Sequence, residues 1–231
     1  MMTTHVRGMA LAALTLLCMA GAPMAGTPMA SARAAETGST LILPGSGGEI
    51  LAATLPAGWT RGSSGAEGDT TAVEWRKADK PGEIIMVTRV GGLASADPAE
   101  YVRQSVDLRK SQCDDVVEGQ VRTEADGSVR TAIGCTRLKG GDGGDVQLLH
   151  IVPGRDALYV ARRIWAVPAY DKAKIPLSPQ VITAGGAEID DLTVCNLPAP
   201  GVIATPCPPG LATALKDKII DLSPLVLRGT P

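Results

Sequence analysis

Polar and apolar residues alternate from Thr70 to Lys77, with Thr71, Val73 and Trp75 on one side and Ala72, Glu74 and Arg76 on the other. A period of two sends successive side chains to opposite faces, so this segment predicts a strand with one buried face. The turn residues Asp79-Lys-Pro-Gly82 lead into a second apolar segment, Glu83–Val90, and the two together predict a hairpin. Upstream, Ile50–Leu55 predicts a first strand closed by Pro56-Ala-Gly58, while Gly62-Ser-Ser-Gly65 and Gly68 predict a loop. Residues 36–48 predict a mobile lead-in carrying one short apolar patch, Leu41-Ile42-Leu43.

The period changes after Ala96. Asp97 is placed to cap free backbone N–H groups, Pro98 suits a first helical position, and Glu100 completes a capping box. The helix runs to about Gln112, with Ala99, Val102 and Val106 on one stripe, Tyr101 and Leu108 beside it, and Arg103, Arg109 and Lys110 outward. Strand patterns then return in Val116–Glu124 and Ser128–Leu138, joined by Asp126-Gly127, a pair suited to a tight hairpin. Beyond the flexible Lys139–Gly144 link, Asp145–Val152 turns at Pro153-Gly-Arg-Asp156 into Ala157–Val167, completing a four-strand meander. Ser178–Leu192 predicts a second helix with Val181, Ile189 and Leu192 on one face, weakened by Gly185-Gly186 at about 1 kcal/mol per glycine. After Cys195 the chain is rich in proline, and Leu211–Leu222 predicts a short helix.

These elements predict an α+β domain with one mainly antiparallel sheet of about six strands, covered by helices and stapled by disulfides. The expected organisation is a leader over 1–34, a flexible lead-in over 35–49, the α+β domain over 50–195 and a proline-rich tail over 196–231. The Leu55-Pro-Ala-Gly-Trp59 entry and a strand pair before a capped helix resemble the PsbP/DcrB/Mog1-like group of small α/β sandwich domains. The likeness covers residues 50–195. The cysteines and the proline-rich tail depart from it. It implies an accessory or partner-binding protein, since such domains mostly lack a catalytic centre, although a shared fold does not establish a shared function.

The first residues set the compartment. Arg7 precedes an apolar run, Met9–Ala20, of signal-peptide length, short of the roughly 20 residues that span a bilayer. Small residues follow, with A-x-A cleavage sites at Ala30-Ser-Ala32 and Ala32-Arg-Ala34, so the chain is expected to be exported to a periplasmic or extracellular space. Leu17 before Cys18 is too bulky for a lipidation site, and Cys18 reads as a small apolar residue of the leader. After residue 35 no apolar stretch approaches bilayer length, so no transmembrane segment is expected once the leader is cut. Cys113, Cys135, Cys195 and Cys207 remain, an even set that reads as two disulfides with three possible pairings. The favoured pairs are Cys113–Cys135 and Cys195–Cys207, because each closes a short segment within one local unit. A zinc site is disfavoured, since the spacings contain no C-x-x-C. Of 22 basic residues Arg7 and Arg33 leave with the leader, and 20 minus 24 acidic residues gives a mature net charge of −4. That mild, patchless balance argues against nucleic acid, which demands a concentrated basic surface.

Candidate chemistry is sparse. Gly140-Gly-Asp-Gly-Gly-Asp145 begins like a calcium nonapeptide, but Gln147 stands where a large apolar residue belongs and only one copy is present, so a loop is expected. No Lys-Ser/Thr follows it, which excludes a phosphate cradle. His150 is the only histidine after the leader, and a serine hydrolase would need it as general base, yet no G-x-S-x-G elbow exists. Asp114-Asp115 and Glu188, Asp190 and Asp191 are carboxylate clusters that read as solvated surface, as do the cations Lys139, Arg155, Arg162 and Arg163. No catalytic, cofactor or metal residue is assigned. The reading is an exported non-enzymatic domain that binds a protein or envelope component; the alternatives are a cell-wall or extracellular hydrolase using His150 or a carboxylate pair, and a small-molecule carrier.

Overall fold

The structure is a computed structural model that describes residues 39–45, 48–93, 97–155, 157–196, 207 and 225–228. Its strands, in chain order, are β1 (Ser39–Pro44), β2 (Glu49–Leu55), β3 (Trp59–Glu67), β4 (Thr70–Lys77), β5 (Lys80–Gly91), β6 (Val116–Glu118), β7 (Arg122–Thr123), β8 (Val129–Cys135), β9 (Gly143–Pro153), β10 (Ala157–Pro168), β11 (Leu192–Asn196) and β12 (Leu225–Arg228). Helix α1 (Pro98–Gln112) follows β5, and α2 (Pro179–Glu188) follows β10. The chain is α+β, as its patterns predict, but it forms two sheets instead of one sheet of about six strands. An eight-stranded sheet runs β3-β4-β5-β10-β9-β8-β6 with β7 beside β8, and a four-stranded sheet runs β11-β2-β1-β12.

The second sheet pairs β2, expected from Ile50–Leu55, with strands that carry little strand signal in the sequence. The Leu41-Ile42-Leu43 patch expected in a mobile lead-in is the middle of β1, and all three side chains are fully buried. The Gly62–Gly65 stretch expected as a loop is part of β3, whose residues beyond Trp59 are all exposed. With neither face buried, no period of two was required there. A register shift between Arg61 and Ser64 marks a bulge against β4. The expected helix Leu211–Leu222 and most of the proline-rich tail lie outside the described residues, as does the leader.

The alternation in β10 organises the core. Ala157, Tyr159 and Ala161 join Val73, Trp75, Ile85 and Val87 and meet Leu41, Leu43, Leu51 and Ala53 of the four-stranded sheet. Leu158 and Val160 face the other way and pack with Val129, Ile133, Leu149 and Ile151 against Val102 and Val106 of α1. One sheet therefore serves two cores. Glu49, 2% exposed, ties the sheets together by accepting from the backbone N–H of Arg155 at 2.6 Å and from the Tyr159 hydroxyl at 3.0 Å. Cys113 at the end of α1 is bonded to Cys135 of β8, and Cys195 of β11 to Cys207, with Cα separations of 5.6 and 4.8 Å.

The helix starts follow local chemistry. Asp97 accepts from the N–H of Ala99 at 2.9 Å, and Pro98 occupies the first turn. Glu100, expected to close a capping box, instead engages Arg103 and Gln104 at 2.7 and 3.2 Å. Ser178 caps α2, which stops at Glu188, so Leu192 belongs to β11 and not to the helix. Val181, expected inward, is 41% exposed. Its place is taken by Gly185, where a Cβ would run into the Trp165 indole, so only glycine lets the helix approach.

Gly185→Ala is therefore expected to lower stability by about 1–3 kcal/mol through overpacking, despite alanine's advantage in helices. A Cβ on Gly186 would meet nothing nearer than Leu148 Cδ1 at 4.0 Å. Gly186→Ala should accordingly raise stability by up to about 1 kcal/mol. Urea midpoints for the two neighbouring variants should move in opposite directions; a shared direction would contradict the packing described.

Candidate functional site

The largest concentration of chemistry lies where α2 meets β10. Positions 157, 159, 161, 163 and 165 share the inward face of β10, which puts Arg163 in core register and leaves it 2% exposed. Its guanidinium lies between two indoles, 4.6 Å from the Trp59 ring centre and 4.4 Å from that of Trp165. Nε donates to Glu188 of α2 at 2.6 Å, one terminal nitrogen donates to the Ile164 carbonyl at 3.0 Å, and the other pairs with Glu83 of β5. Lys77, paired across β3–β4 with Trp59, lies 5.8 Å from that ring and also reaches Glu83. Burial alone would raise the Glu83 carboxyl, but the hydrogen bond and charge of Arg163, with Lys77 and Lys80, hold it below the ordinary range. The two carboxylates beside this cation are both bonded to it, so an acidic group can reach Arg163 only by replacing one of them.

A second buried network lies under α1. Arg109, in the helix's last turn, pairs with Asp145 at the start of β9. Gln147 donates to Asp145 at 3.2 Å, and Arg162 reaches both Gln147 at 3.5 Å and the Tyr101 hydroxyl at 2.9 Å. The Tyr170 hydroxyl donates to the Asp145 carbonyl at 3.1 Å. Burial first, then the Asp145 charge, pushes this phenol up to about 12, against a smaller opposing effect of Arg109. Beside it is an open surface depression of about 370 Å³ lined by Asp114, Thr136, Arg137, Ala169, Tyr170 and Asp171. Its lining is polar, unlike the aliphatic pocket between sheet and helix that a carrier of apolar molecules would use.

The residues weighed from sequence are scattered. His150 is buried, with Nδ1 3.1 Å from the Ile189 carbonyl at the end of α2. A carbonyl only accepts, so Nδ1 carries the hydrogen. Asp115 pairs with Lys172 at 3.0 Å, and Asp190 pairs with Arg130. Glu188 turns inward to Arg163 instead of standing on a solvated face. Lys139 caps α1 by donating to the carbonyls of Lys110 and Ser111 at 3.3 and 3.1 Å. Gly143 and Gly144 of the glycine-rich link open β9. Among the described residues no group of three or more His, Cys, Asp or Glu side chains is placed to hold a metal ion, and no helix is long and apolar enough to cross a membrane. The Trp59–Arg163–Trp165 stack was not singled out from sequence: Ala157–Val167 is apolar at consecutive positions around the adjacent Arg162 and Arg163 and shows no period of two.

No protein-family model matches the chain, and no curated protein matches it. Among solved structures it is similar to the solution structure of cyanobacterial PsbP (CyanoP) from Synechocystis sp. PCC 6803, at 16% identity and a TM-score of 0.40, covering 74% of this chain and 98% of that one. The chain bears a weak PsbP-like resemblance. It is a resemblance of chain path alone.

The placement of His150 has a consequence in solution. Burial, the largest effect, lowers its pKa from 6.5; the Ile189 carbonyl opposes this and the Arg130 charge reinforces it. With the folded value depressed, the stability it confers is fully present above the unfolded value near 6.5 and is lost as pH falls through the folded value. Between pH 7.5 and 5.0 the wild-type protein should therefore lose more unfolding free energy than His150→Gln, roughly the same acid groups titrating in both. Equal losses in chemical denaturation would show that His150 titrates as if unfolded.

Proposed function

We propose that this chain is an exported, non-enzymatic domain that binds a protein or envelope component. The observation that carries the proposal is the employment of its reactive groups. His150, Glu83, Glu188, Asp145, Arg109 and Arg163 are each committed to contacts between secondary-structure elements. A general acid or base must reach a substrate proton and hold a pKa suited to the task; a half-buried carboxylate bonded to an arginine suits neither requirement. The reading of export rests on the leader pattern in residues 1–34 and is favoured by two cystine bridges, which persist in oxidising compartments. Partner binding is favoured by the nine-residue exposed edge strand β3 of the α+β domain and by the absence of nucleic-acid-like charge in the sequence.

Crosslinking in the native host followed by recovery of the chain from the envelope fraction is expected to yield a stoichiometric protein or envelope partner. The recovered chain should begin near residue 35 and carry Cys113–Cys135 and Cys195–Cys207 peptides on non-reducing mapping. A blank capture, together with turnover of a peptidoglycan, ester or peptide substrate that disappears in His150→Ala, would replace this function with a hydrolase.

A further inference from the structure

The cover over Arg163 is slight. Of the ten residues of α2 only Gly185 is buried, while Pro179, Gln180, Val181, Thr183, Ala184 and Ala187 are exposed. The preceding residues 171–176 are exposed as well. A helix of this length does not persist alone in water, and two adjacent glycines weaken it further. What fastens it is at its C-terminal end: Gly185 against Trp165, Glu188 on Arg163, the Ile189 carbonyl on His150, and Asp190 on Arg130. Beneath it lies a cation that is 98% buried and prepared on three sides, by Trp59, Trp165 and Glu83, with Nε committed to the carboxylate of Glu188 alone. Two of these fastenings come from within α2 itself: a residue with no side chain against the indole, and a carboxylate three positions later.

We propose that the Trp59–Arg163–Trp165 stack is a carboxylate-binding seat, filled in the free protein by Glu188, and that an acidic segment of a partner protein displaces α2 and places its own carboxylate on Arg163. The inference rests on the partner-binding function proposed above and names its site and chemistry. Exchange of one carboxylate for another keeps Arg163 paired throughout, which avoids most of the penalty of stranding a buried charge. Because Glu188 directly precedes Ile189, its departure also releases the Ile189 carbonyl from His150 and Asp190 from Arg130, so the stretch from α2 to the start of β11 moves as one piece. The exchange is driven only by the difference between the partner's affinity for the seat and that of Glu188.

The test uses the whole chain and a peptide with the sequence of residues 178–191. In hydrogen exchange, α2 amides should open faster than those of β9 and β10, with a local opening well below global unfolding. Tryptophan emission should report peptide binding, about tenfold tighter to Glu188→Gln than to the wild-type chain, and a peptide carrying the same Glu188→Gln change should not bind. Gly186→Ala, which stiffens α2 without a clash, should weaken binding; it also supplies a folded variant should Glu188→Gln fold poorly. Core-like protection of α2, no binding at peptide excess, or equal binding of the two peptides would overturn the seat. If captured partner is retained at the same yield by Glu188→Gln and by Gly186→Ala, the partner function stands and the seat is not its interface; a blank capture removes the partner function itself.

Discussion

Arg163 is a cation that the fold places where water does not reach, and much of the architecture near it exists to make that tolerable. Removing a guanidinium from water costs several kcal/mol unless its donors and charge are matched. Here β10 brings the charge inward, β5 supplies Glu83, α2 supplies Glu188, and the indoles of Trp59 and Trp165 close both faces. These partners come from residues 59, 83, 165 and 188, so the match is complete only when β3, β5, β10 and α2 are all in place. The interaction is therefore a condition on assembly as much as a source of stability. It also explains a glycine inside a helix: any side chain at Gly185 would hold Glu188 away from its partner.

The rest of the molecule repeats the same economy of charge. Glu49 joins the four-stranded sheet to the β9–β10 turn, and Arg109 with Asp145 joins α1 to the large sheet. Between these polar ties the cores are mainly aliphatic, with Trp59, Trp75 and Tyr159 as aromatic members, in a chain with no phenylalanine. Aliphatic side chains pack with little directional preference, so the buried ion pairs are well placed to specify how sheet, sheet and helices register. The disulfides act at the ends of elements, one pinning α1 to β8 and the other holding residue 207 to β11. Each would restrict the unfolded chain by roughly 2–4 kcal/mol.

What the sequence made legible was whatever buries one face. Thr70–Lys77 was read with its observed limits because Val73 and Trp75 pack inward, and α1 because Asp97, Pro98 and the Val102–Val106 spacing all mark the same helix. The Cys113 end of α1 and the β8–β9–β10 meander follow from similar signals. Two strands were missed for opposite reasons: β3 is exposed along nearly its whole length, whereas β1 is buried on both faces, so its three apolar residues show no alternation before Pro44-Gly-Ser-Gly-Gly48. Without β1 and β11 the second sheet could not be inferred. The site was harder still. Arginine in a strand is ordinarily an outward residue, and the partners of Arg163 other than its strand neighbour Trp165 are 25 to 104 residues away in sequence, so pattern alone pointed to surface. Residues 157–161 are apolar on both faces and Arg162 and Arg163 are adjacent, so nothing in the pattern says which arginine turns inward.

Arg163 is a coupling centre between β5, β10 and α2, and a double-mutant cycle in urea unfolding tests that most directly. With Arg163→Met and Glu188→Gln made singly and together, the account predicts a coupling energy of about 1–3 kcal/mol, because each change strands the other's partner. Additive effects within about 0.5 kcal/mol would contradict it, and would return Arg163 to the ordinary surface cation that the sequence first suggested.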